Sequence, residues 1–237
     1  MVKKLVAHAM VVLPVLIAGL AATSAQAQTC RDAVVMVHGN TGKPADFNNT
    51  HSELLRRGYT STELFRPDWG SKTCSACNDH DGSEIVPVKD AINQALARSC
   101  TGKIDVLGHS MGVTLSIKAI LDLGVASRVD SFVGIAGGYR GLRSCGTYPY
   151  NVATTTCGYW GLSISSPFLN SIYGKRMASR IYSIKSNSDQ IVCYLGNCTV
   201  NGVHSSQIAN ENASYTYALG HFGLVTDTYV KQADLIQ

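Results

Sequence analysis

Gly108-His109-Ser110-Met111-Gly112 has the spacing G-x-S-x-G. The apolar run 104–107 precedes it and an amphipathic stretch opens at Met111. That is the strand–turn–helix setting in which a sharp turn exposes a nucleophilic serine oxygen. Gly108 and Gly112 fit the turn because a side chain at either position would strike the neighbouring strand or helix. The chemistry such a serine can do is acyl transfer, and it needs a base and an orienting acid to do it.

In this arrangement the acid and then the base follow the serine in the chain. Two histidines come after Ser110, His204 and His221. His221 sits in Leu219-Gly220-His221-Phe222-Gly223, between a strand-like and a helix-like segment, and is the expected base. His204 lies in a polar loop, 201–206, and is expected to be solvated. Asp189 ends the loop after the strand-like run 180–184 and is the expected acid, with Glu211 as the alternative. Asp227 follows His221 and breaks the order, and Asp122 and Asp130 read as surface or capping carboxylates. Negative charge on a tetrahedral intermediate needs preorganised N–H donors. The backbone of Met111 supplies one. Asn40, after the apolar run 33–37 and Gly39, supplies the other. His38 comes too early for the base and is expected to brace the loop.

The elements that must hold these residues alternate. Strand-like runs fall at 33–37, 59–65, 103–107, 130–136, 180–184 and 215–219. Helix-like runs fall at 44–57, 83–99, 111–123 and 222–236. Val88, Ile92 and Leu96 share one helix face, as do Val113, Ile117, Ile120 and Leu121. Alternation of this kind predicts an α/β fold with a mostly parallel sheet and helices on both faces. Residues 141–179 break the pattern and carry Tyr148, Tyr150, Tyr159, Trp160, Phe168 and Tyr173. They are expected at the C-terminal edge of the sheet, where such folds bind ligands, as an insert that shapes the pocket.

Lys3 and Lys4, an apolar stretch over 5–22 and the small-x-small Ala25-Gln26-Ala27 read as a secretory signal peptide, 1–27. The remainder, 28–237, is long enough for one domain. Without Lys3 and Lys4 the 20 basic residues become 18, against 16 acidic ones, with no basic block. That argues against nucleic-acid binding. All eight cysteines lie after residue 27, and an even count in an exported chain points to disulfides. Cys30 and Cys100 each precede a strand by the same interval, and those strands should be neighbours, so Cys30–Cys100 is expected. Cys74 and Cys77 would pair locally; a zinc or redox site there, helped by Asp79, His80 and Asp81, is the rival.

The chain resembles the secreted bacterial class 2 lipases of the α/β-hydrolase superfamily, with a particular likeness to extracellular depolymerases of amorphous polyhydroxybutyrate. The likeness is carried by Val37-His38-Gly39-Asn40, Gly108-His109-Ser110-Met111-Gly112-Val113, Ala136-Gly137-Gly138-Tyr139-Arg140-Gly141-Leu142, Ser188-Asp189-Gln190-Ile191-Val192-Cys193 and Gly220-His221-Phe222. It implies a triad of Ser110, Asp189 and His221, oxyanion donors at Asn40 and Met111, and disulfides Cys145–Cys157 and Cys193–Cys198. This chain is shorter than the depolymerases, with the interval between acid and base trimmed to 190–220.

The expected substrate is a lipid or polyester ester, acylglycerol first, with short-chain esters or a polyhydroxyalkanoate as alternatives. No metal or organic cofactor is needed, no permanent membrane anchor is expected, and a monomer is the simplest state. A non-catalytic secreted binder is the rival of a different class, since the fold hosts such proteins. Reaction with a fluorophosphonate probe would separate the two.

Overall fold

A computed structural model describes residues 1–3, 30–150 and 152–236. The expected signal segment, 1–27, lies almost wholly outside the described residues.

Six parallel strands form the central sheet in the order β10-β7-β4-β3-β1-β2. They are β1 Ala33–Val37, β2 Leu64–Phe65, β3 Ile104–His109, β4 Val129–Ile135, β7 Arg180–Lys185 and β10 Ala213–Thr216. Every residue of β1 is buried, because alternate side chains enter two separate cores. Val35 and Val37 pack toward α2 (Val86–Arg98) and α3 (Met111–Asp122). Val34 and Met36 pack toward α1 (Asn48–Arg56), α5 (His221–Asp227) and α6 (Tyr229–Asp234). A strand sandwiched this way reads as a continuous apolar run rather than an alternating one.

The β1–β3 register sets Ala33 opposite Ile104, which brings the residues before both strands to one edge. Cys30 is bonded to Cys100 there, with Cα atoms 5.6 Å apart. The other pairs are Cys74–Cys77, Cys145–Cys157 and Cys193–Cys198. Cys74 and Cys77 are therefore not thiol ligands for zinc.

Three elements depart from the sequence expectation. Only Leu64–Phe65 of 59–65 is strand, because the Glu63 carboxylate accepts from both the N–H and the hydroxyl of Thr60. That reciprocal cap winds Ser61–Glu63 into a 3₁₀ turn. The last strand is Ala213–Thr216 rather than 215–219, since its partner β7 ends at Lys185, opposite Thr216. The helix expected over 222–236 is two helices, broken at Thr228, whose hydroxyl bonds the Leu224 carbonyl.

The insert 141–179 holds a small parallel pair, β5 (Leu142–Thr147) and β6 (Ser163–Ile164), and the short α4 (Pro167–Ile172). A hairpin of β8 (Thr199–Val200) and β9 (Val203–His204) follows β7. No described helix is long and apolar enough to cross a membrane.

Candidate active site

The turn between β3 and α3 gives Ser110 φ 55° and ψ −127°, a conformation L-residues rarely adopt. The Ser110 N–H donates to the Ile135 carbonyl at 2.8 Å, which ties the turn to β4. The two glycines are required by contact. A Cβ at 112 would lie 2.3 Å from the His38 carbonyl oxygen, and one at 108 would lie 2.7 Å from Val113 Cα. With no room for side chains there, α3 is drawn against β1 and β3.

Asp189 and His221 come together across 32 residues of chain. His221 Nδ1–H donates to Asp189 Oδ2 at 2.8 Å, with both side chains almost fully buried. The other oxygen, Oδ1, accepts the N–H groups of Ile191 and Val192 at 2.8 and 2.9 Å. Burial pushes the Asp189 carboxyl up. The His221 hydrogen bond and charge, with the two backbone donors, outweigh this and hold it below its ordinary value.

Two residues that sequence reasoning left out position this pair. Gln190 Oε1 accepts the His221 N–H at 2.9 Å and fixes the start of α5. The His109 ring lies 4.8 Å, centroid to centroid, from that of His221, and its Nε2–H donates to the His221 carbonyl at 3.2 Å. Burial pushes His109 down to about 3, so it is a neutral prop and not a second base. Its place beside Ser110 makes it the link between the turn and the histidine loop. Ser110 Oγ itself has no hydrogen-bond partner among the described residues. Nucleophile–base bonds in sites without substrate are commonly loose and tighten on binding.

The backbone N–H groups of Asn40 and Met111 likewise have no acceptor among the described residues. They belong to two elements that close contact holds together. A Cβ placed on Gly39 would lie 2.8 Å from the Ser110 Cβ. His38 braces this loop from below. Its Nδ1–H donates to the Gly39 carbonyl at 2.8 Å, its Nε2 accepts from the Trp69 N–H at 3.3 Å, and its ring stacks on Trp69. Burial, with Lys72 nearby, lowers the His38 pKa despite the hydrogen bond to Gly39.

The remaining candidates lie elsewhere. His204, expected to be solvated, is buried. Its Nε2–H donates to the Ser186 carbonyl at 3.1 Å and its Nδ1 accepts the Ser206 N–H at 3.1 Å, so it pins the β8–β9 hairpin to the loop after β7. Asp122 pairs with Lys89 and Lys118, and Asp130 with Arg180 and Lys103. Among the described residues Glu211 forms no ion pair with His221.

Comparison with known proteins bears on the family and the fold. The family model for class 2 lipases matches residues 31–234. A lipase of Bacillus licheniformis, BlEst2 in its mature form, superposes with a TM-score of 0.62 at 13% identity, over 88% of this chain and 93% of that one. A structure from the metagenome-derived lipolytic enzymes LipS and LipT gives 0.57 at 16% identity, over 86% and 92%. A pyrethroid hydrolase of Sphingobium faniae gives 0.52 at 14%, over 85% and 95%. At such identities the likeness shows the fold, which is that of the α/β-hydrolases.

Proposed function

The chain belongs to the class 2 lipase family and hydrolyses carboxylic esters, and from that premise we propose that it is an exported lipase using Ser110, His221 and Asp189 on acylglycerols. The observation that carries the proposal is the buried Asp189–His221 pair, bridged through His109 to the strained turn at Ser110.

His221 Nε2 takes the proton of Ser110 as Oγ adds to the ester carbonyl. Asp189 holds Nδ1 protonated and stabilises the imidazolium that forms. The carbonyl oxygen becomes an oxyanion and accepts the N–H groups of Asn40 and Met111. As the tetrahedral intermediate collapses, His221 gives its proton to the departing alkoxide oxygen and the alcohol leaves. Water then adds to the acyl-enzyme with His221 again as base, which releases the acid and restores Ser110.

An apolar substrate is supported by the side chains flanking the acid and the base. Phe222, next to His221, is 63% exposed, and Leu195, six residues after Asp189, is 89% exposed. Ile191 and Tyr194, between Asp189 and Leu195 in sequence, are exposed as well. Single exposed apolar residues are ordinary, but several close in sequence to the acid and the base suit a lipid surface. The same surface suits a polyester, the second reading. Four disulfides support an oxidising destination and hence export.

Initial rates on tributyrin, emulsified triolein and amorphous polyhydroxybutyrate test the substrate. A lipase cleaves both glycerides faster than the polymer. Turnover confined to the polymer would replace the lipase reading by the depolymerase one, and turnover confined to water-soluble short esters would leave a simple esterase.

A further inference from the structure

A cavity of about 420 Å³ opens between the insert and the β8–β9 hairpin. None of Ser110, Asp189, His221, Asn40 and Met111 lines it. Its size is within the range of small-molecule sites, and its wall carries both apolar and polar side chains. Ile164, Leu169, Val200 and Val203 supply the apolar part, and Asn170 and Asn201 add amides. Arg140 supplies a cation, and no carboxylate lines the cavity among the described residues.

Arg140 is held in place before any ligand arrives. Its backbone N–H donates to the Ser205 carbonyl at 3.1 Å. Its Nε donates to the Gln207 carbonyl at 2.9 Å and its Nη1 to the Tyr173 hydroxyl at 3.0 Å. The guanidinium carbon lies 5.4 Å from the centre of the Tyr173 ring. Nη2 has no hydrogen-bond partner, and no acidic side chain pairs with this arginine, among the described residues. A guanidinium fixed on one edge and free on the other loses little entropy on meeting an anion, and the bond it makes is charge-assisted.

We propose that this cavity binds a medium-chain monocarboxylate, its carboxylate on Nη2 of Arg140 and its alkyl chain against Ile164, Leu169, Val200 and Val203. Ester hydrolysis releases a molecule of this class at every turnover, so the ligand accumulates wherever the enzyme works. No member of the proposed triad lines the site, and its test does not depend on which residue is the nucleophile.

Calorimetric titration of the folded protein with sodium hexanoate, sodium acetate and 1-hexanol provides the test. Hexanoate is expected to bind with Kd of about 10 mM or tighter, and acetate and hexanol at least tenfold more weakly, a difference of about 1.4 kcal/mol. Arg140→Gln removes the cation, and Val203→Trp fills space in the cavity while leaving Arg140 intact. Each is expected to weaken hexanoate at least tenfold, with the rate on p-nitrophenyl butyrate within twofold of wild type as the control for folding. If Arg140→Gln fails that control, Val203→Trp decides. Undetectable hexanoate binding, binding unchanged in a folded variant, or equal affinity for acetate would overturn the proposal.

Discussion

Asn78 donates its side-chain amide to Oδ1 of Asn40 at 2.6 Å, and Asn40 donates its own amide to the Ser75 carbonyl at 2.8 Å. The loop closed by Cys74–Cys77 therefore grips the residue whose backbone N–H is one proposed oxyanion donor. Asn78 is itself buried and held by the N–H and carbonyl of Ser71. Asn78→Ala should lower kcat roughly 10- to 100-fold with little change in KM, less than the roughly 10²- to 10³-fold cost of deleting a donor outright. Steady-state kinetics on a soluble ester would read this, and a kcat within twofold of wild type would show that Asn40 needs no such support.

Asp189 holds His221 in one tautomer, and its second oxygen is satisfied by backbone donors. Asp189→Asn keeps the shape and loses the charge. It should reduce kcat by about 10³- to 10⁴-fold, with a near-native melting curve. Activity above a tenth of wild type would remove Asp189 from the triad.

Gly112 sits where a Cβ would come within 2.3 Å of one backbone oxygen and 2.5 Å of another, those of His38 and Val37. Backbone cannot give way as a flexible side chain can. Gly112→Ala should cost about 3 kcal/mol, the upper part of the usual overpacking range. Urea unfolding measures it, and a loss under about 1 kcal/mol would mean that α3 can shift off β1 at little cost.

The serine turn was legible because it is a local pattern: a strand, G-x-S-x-G, and a helix whose apolar positions repeat. The sheet was legible for the same reason, since β1 is a continuous apolar run and β3 and β4 are mostly apolar and almost wholly buried. What escaped depends on contacts distant in sequence or on polar capping. His204 looked like a loop histidine because only the fold shows the Ser186 carbonyl beneath it. Asn78 and Gln190 act by single hydrogen bonds to residues 38 and 31 positions away, which leave no periodic trace. The Thr60–Glu63 cap has the T-x-x-E spacing and could have warned against a strand over 59–65.

His80 is fully buried, with its Nδ1–H on the Trp160 carbonyl at 2.7 Å and its Nε2 against the Thr114 hydroxyl at 2.7 Å. Burial, reinforced by Lys118, pushes it down to about 3 from an ordinary 6.5. The folded value is the lower one, so the unfolded chain takes up this proton first on acidification. Its contribution to stability is complete above about pH 6.5 and is lost progressively as pH falls toward about 3. His109 acts in the same sense, while Asp105, raised chiefly by its burial, acts in the opposite one. His80→Asn keeps the bond to Trp160 without the titration. Its melting temperature should gain on wild type as pH is lowered from 7 to 5, and parallel curves would contradict the assignment.

The central claim is that Ser110 carries the acyl group, and covalent trapping tests it most directly. The protein is treated with a fluorophosphonate and the modified peptide is located by mass spectrometry, beside Ser110→Ala and His221→Ala. One adduct is expected, on Ser110, absent from Ser110→Ala and formed at least 10³-fold more slowly in His221→Ala. An adduct on any other residue, or a Ser110→Ala protein that keeps more than a tenth of the wild-type rate, would contradict it.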